Sequence, residues 1–216
     1  MSGCIVLSMT GYSIIKAQAA CESVIEKRVS TPLGLGAALG GLAGKQLFDG
    51  IRALFANPDT VGAIQAAALF AVTLGTLIFT IKKQKIQTLR VKGYVKCAVI
   101  GLGLGMLSSF LGIGGGPINL AVLFYFFSMD TKTAAQNSLY IILFSQLASF
   151  LFTVLRGTVP DFPKLLLACM MGCGILGGIV GRRINRKINE AAVNKLFLGL
   201  MAVIMAICCY NFYRYL

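Results

Sequence analysis

The chain has 216 residues, of which 57% are hydrophobic and only 12% are charged, and its formal net charge is +13. A soluble domain must cover itself with polar side chains, and this balance supplies too few, so a soluble globular fold is excluded. Nucleic acid is excluded as a partner too, because the basic residues crowd into short loops between apolar blocks, the pattern of membrane-flanking charge.

In chain order, residues 2–18 form a short apolar stretch. Residues 32–56 predict a Gly-rich helix with a break near Asp49 and Gly50. Residues 61–81 carry no charge and are long enough to cross a bilayer, which takes about 20 apolar residues. A basic connector, 82–96, holds Lys82, Lys83, Lys85, Arg90, Lys92 and Lys96. Residues 97–111 predict a helix running into Gly112-Ile113-Gly114-Gly115-Gly116-Pro117, after which 117–129 continues as a shorter helix. Spans at 136–155, 164–181 and 195–214 follow. A second basic loop between the last two holds Arg182, Arg183, Arg186, Lys187 and Lys195. No signal peptide is expected, since the N-terminus lacks a basic region and a clear cleavage site.

An internal repeat is visible. Gly40-Gly41-Leu42-Ala43-Gly44-Lys45-Gln46-Leu47 is similar to Gly177-Gly178-Ile179-Val180-Gly181-Arg182-Arg183-Ile184. Both place small residues four apart, which lets helix backbones approach closely. Each copy is flanked by apolar segments, and such symmetry is typical of secondary transporters. By this alignment Ser8 occupies the position of Ser145. The second half opens with the helix that reaches the triple glycine, and the first half has no counterpart. The expected division is 1–81, a first half lacking its opening Gly-rich segment; 82–96, a cytoplasmic connector; and 97–216, a complete second half.

The segment from Gly112 to Pro117 is where chemistry is expected. Dense glycine disfavours continuous helix, and proline suits the first position of a new one. Residues 117–129 span only about 20 Å at 1.5 Å per residue, a half-helix. A break at membrane depth must line an enclosed or wet cavity, because lipid cannot satisfy its backbone groups. The N-terminus of the half-helix offers bare N–H groups and a partial positive charge, together an anion site. The candidate substrate-binding residues are therefore Gly112, Gly114, Gly115, Gly116 and Pro117, joined by Asn119 in the next turn. On the following span they are joined by Gln136, Asn137 and Ser138, with Ser145 and Gln146 further along. These side chains offer hydrogen bonds without charge, as suits a site that must release its ligand.

Catalysis finds less support. The chain has no His, no nucleophile–base pair and no metal-ligand cluster, so neither enzyme chemistry nor a metal or other cofactor is expected. The seven cysteines, Cys4, Cys21, Cys97, Cys169, Cys173, Cys208 and Cys209, lie mostly in apolar segments and read as small packing residues.

The run Gly101-x-Gly103-x-Gly105-x-x-Ser108-Ser109-Phe110-Leu111-Gly112-Ile113-Gly114-Gly115-Gly116-Pro117, followed by Ala134-Ala135-Gln136-Asn137-Ser138, resembles the TauE/SafE family of membrane permeases. The resemblance implies a multi-pass protein of the bacterial plasma membrane that moves sulfite, a sulfonate or a related organosulfur or carboxylate anion. Its partners would be the lipid bilayer and that small anion, with a homo-oligomer left open. The expected fold is thus all-α, a polytopic transmembrane helical bundle of two similar halves with a broken or re-entrant helix at Gly112 to Pro117. Two other readings compete with transport. One is a non-transporting scaffold or assembly protein, which needs no cavity at the break. The other is a redox protein whose cysteines converge. Placing both basic loops on the cytoplasmic side makes 97–129 enter and leave on one face and puts loop 49–60 on the other.

Overall fold

The computed structural model describes residues 2–19, 25–54, 58–82, 88–111, 116–157 and 164–215. Among these it has eight helices: α1 (Ser2–Ala19), α2 (Lys27–Leu54), α3 (Pro58–Lys82), α4 (Tyr94–Leu111), α5 (Gly116–Phe127), α6 (Thr131–Leu155), α7 (Lys164–Lys187) and α8 (Glu190–Tyr215). Five of them are long and apolar enough to cross a membrane, and α5 is the short apolar helix among the rest. Exposed Leu176, Val180 and Ile207 on α7 and α8 belong to a lipid-facing surface.

Several boundaries differ from expectation. α2 starts five residues early and takes Pro32 into its second turn. It runs unbroken through Asp49 and Gly50, because packing along its length outweighs weak local propensity. α6 starts at Thr131 rather than 136. The Asp130 carboxylate caps it, accepting from the Thr133 backbone N–H at 3.3 Å. α7 extends through Arg182, Arg183 and Arg186, so most of the expected loop is the end of a helix, where cations are favoured.

Interhelical contacts fix the direction of each helix. α2 and α4 run parallel along a seam of glycines and lie closer than side chains allow. A methyl group on Gly36, Gly40 or Gly44 would meet the backbone of Ala98, Leu102 or Met106. One on Gly101 or Gly105 would strike the carbonyls of Leu33 or Ala37. α6 also runs parallel to α2, with Asn137 beside Ser30 and Ser145 beside Ala37. α5 runs the other way. Its final carbonyls, on Tyr125 and Phe126, accept from the N–H groups of Leu89 (2.9 Å) and Val91 (2.7 Å). Those residues lead directly into α4, so α4 and α5 enter and leave at one face of the bundle.

The start of α6 meets the start of α8 at that same face. Thr131 N–H donates to Glu190 Oε1 (3.2 Å), and Lys132 Nζ donates to the Ile188 carbonyl (2.7 Å). Residues 88–96 and 182–195 therefore share one face, called the basic face below. α3 descends to it, stacking Phe79 edge-on against Phe124 and Tyr125. α1 descends to it as well, parallel to α7, with Ile5 and Met9 against Gly174 and Gly178. The helices α1, α2 and α3 run toward, away from and toward the basic face; α6, α7 and α8 run away, toward and away. The best-buried core, including Leu33, Leu104, Leu111, Leu123 and Ile141, lies between α2, α4, α5 and α6.

Candidate functional site

α4 ends at Leu111 and α5 begins at Gly116. Gly112, Gly114 and Gly115 lie outside the described residues. Gly116 was expected in the break but is the first residue of α5. Pro117 is the second, where its missing N–H costs nothing because first-turn amides have no partner in the helix.

Beside the break lies a cavity of about 140 Å3, lined by Ala37 of α2, Leu104, Gly105, Ser108 and Ser109 of α4, Asn119 of α5, and Ile141, Ile142, Ser145 and Gln146 of α6. That is comparable with the roughly 150 Å3 known to admit a benzene-sized ligand. Ala37 sits near the middle of α2 and Ser145 near the middle of α6, so the cavity lies at mid-depth. Its polar atoms come from Ser108, Ser109, Asn119, Ser145 and Gln146, and none of the described lining side chains is charged.

Each polar group is positioned by its helix. Asn119 sits one turn into α5, is only 3% exposed, and makes no side-chain hydrogen bond to another described residue. Its side chain lines the cavity, where its amide can donate to or accept from a ligand. The Ser109 and Ser145 hydroxyls converge on Gly41. A methyl group there would lie 3.2 Å from one and 3.1 Å from the other. Gln146 reaches across to Gly3 of α1, where an added methyl would meet its Oε1 at 3.3 Å. The end of α4 leaves carbonyls without helical partners. One of them, on Phe110, is satisfied by Gln65 Nε2 of α3 at 3.0 Å.

Three of the sequence-expected residues stand elsewhere. Asn137 is fully buried nearer the basic face. Its Oδ1 accepts from Ser30 Oγ (2.5 Å) and the Glu26 N–H (3.0 Å), and its Nδ2 donates to the Thr133 carbonyl (2.8 Å). These bonds tie α6 to the start of α2. Ser138 is buried beside it and Gln136 is half-buried; neither lines the cavity. Ser8, the repeat counterpart of Ser145, donates to the Cys4 carbonyl of its own helix at 2.8 Å. Sequence reasoning passed over Ser108, Ser109 and Gln65. The available signal was two hydroxyls in the last turn of an otherwise apolar helix that ends at a glycine run. The six described cysteines form no disulfide, with Cys169 and Cys173 exposed on α7 and Cys208 buried on α8.

A multi-pass helical bundle with a broken hairpin and an uncharged polar cavity at mid-depth has the construction of a membrane permease. The chain belongs to the family described as Sulfite exporter TauE/SafE, whose model matches residues 1–207. No curated protein and no solved structure matches it.

Proposed function

We propose that this permease moves a small sulfur-containing oxyanion, sulfite or a short sulfonate, and that the mid-depth cavity holds one such anion during transport. The observation that carries this reading is the lining of the mid-depth cavity: Asn119, one turn from the N-terminus of a half-helix and with no side-chain hydrogen bond to another described residue, faces a space of small-anion size. The anion's charge meets the positive end of α5, and its oxygens accept from Asn119, Gln146 and the serine hydroxyls. Without a fixed cation the site binds weakly enough to release its load. A scaffold would have no use for such a cavity, so its presence favours transport.

Purified protein in proteoliposomes tests the reading, with uptake of sulfite, sulfoacetate, taurine and simple carboxylates compared in parallel. Saturable flux of sulfite or a sulfonate above that of protein-free vesicles is expected. Equal leak for every solute would sink the proposal.

A further inference from the structure

A second and larger cavity, of about 660 Å3, opens at the basic face between the start of α2, residues 90–94 and the end of α5. Among the described residues, three cations line it, Arg28, Arg90 and Lys92, against one carboxylate, Glu26. Its wall is apolar, formed by Val29, Val91, Cys97 and Phe127. The turn that brings Arg90 there is built rather than loose. Its neighbours Leu89 and Val91 are bonded to the end of α5, Ser128 Oγ donates to Thr88 Oγ1 at 2.6 Å, and Arg90 itself takes φ 44°.

We propose that this cavity binds the phosphodiester headgroup of an anionic phospholipid from the leaflet on the basic face. Basic pockets between transmembrane helices bind such headgroups. The choice of lipid over free phosphate rests on α4. Starting next to the lining residue Tyr94, Val95, Val99 and Leu102 run along the outside of that helix at spacings of four and three, exposed at 77%, 65% and 41%. They form an apolar track on which an acyl chain can lie while its phosphate meets Arg28, Arg90 and Lys92. A soluble anion would gain nothing from that track. The site lies apart from the mid-depth cavity and does not depend on which solute is carried.

Native mass spectrometry of the full chain in neutral detergent tests it, titrating phosphatidylglycerol with phosphatidylcholine as control. The wild type should retain phosphatidylglycerol in preference to phosphatidylcholine. Removing a cation should weaken binding about fivefold each, so the double variant Arg28→Gln/Lys92→Gln should bind about 25-fold more weakly. Both side chains are exposed, so folding should survive, and unchanged helicity and gel-filtration volume would verify that. Arg90→Asn, which keeps a residue tolerant of positive φ, should show the single-charge loss independently. Arg214→Gln, at the opposite face, should bind as wild type. Undiminished phosphatidylglycerol binding by the double variant would overturn the proposal. Displacement of the lipid by millimolar inorganic phosphate would overturn it too, by identifying the site as one for free phosphate.

Discussion

Asn119 and Asp130 show how differently two polar residues of this bundle act. Asn119 lines the mid-depth cavity and, in the proposed function, donates to the transported anion. Replacing it with Ala removes one hydrogen bond to a charged group, worth about 1.5–3 kcal/mol. The KM for the transported anion should rise roughly 10- to 150-fold, read from proteoliposome flux; an unchanged KM would remove Asn119 from the site. Asp130 acts on stability. Burial works to raise its pKa. Hydrogen bonds from the Thr133 side chain and backbone, and from its own and the Lys132 backbone, outweigh that and hold it below the ordinary carboxylate range. A lowered folded-state pKa means that the cap contributes fully above the unfolded value and is lost as pH falls through the folded one. Asp130→Ala should cost about 1 kcal/mol at neutral pH, and the difference from wild type should shrink only in strongly acid solution. Thermal melts across pH would check this, with Asp130→Asn, also a good cap, expected near wild type. Asn119, Ser145 and Gln146 were legible in the sequence as uncharged polar groups near a predicted break. Asn137 looked the same, and only its distant partners Glu26 and Ser30 show that it ties helices together.

At the scale of helices, the glycine seam of α2 and α4 governs the site, because it sets where α4 ends and where Ser108 and Ser109 stand. Gly40→Ala would drive a methyl group into the Leu102 carbonyl, and overpacking of this kind typically costs about 1–3 kcal/mol. Its melting temperature and its flux should both fall. Gly103→Ala, on the partner helix α4 but off the seam, meets nothing within 4 Å and should be neutral or slightly stabilising. Equal behaviour of the two variants would show that the seam is not tight. The helices themselves were readable because membrane-length apolar runs are unmistakable. Their ends were less so: α2, α6 and α8 all begin in polar sequence, where capping and contacts between loops decide the boundary. Gln65 could not be found by pattern, since a lone glutamine in an apolar span does not reveal which carbonyl it serves.

For the whole molecule, α1–α3 and α6–α8 run in opposed directions, with α1 packed against α6 and α3 against α8, the helices that the sequence repeat would pair. The basic loops on one face suggested this arrangement from charge alone, and the hydrogen bonds from Thr131 and Lys132 to Glu190 and Ile188 give it a structural basis. Cysteines introduced at Asp59 and at Asn189 should react with an impermeant thiol reagent from opposite sides of the membrane. Reaction of both from one side would refute the opposed orientation.

The hairpin of α4 and α5 also bears on biogenesis. Both of its ends lie at the basic face, and α5, with 12 residues, is too short to cross alone, so the pair does not insert as two full spans. It must slide into a slot walled by α2, which is made before it, and by α6, which is made after it. Until α6 leaves the ribosome, the terminal carbonyls of α4 and the first amides of α5 lack part of their enclosure. At that stage the chain should be open to quality-control proteolysis, and a change that delays α6 should lower the yield of protein, read by pulse-chase, without altering flux per molecule of the finished transporter.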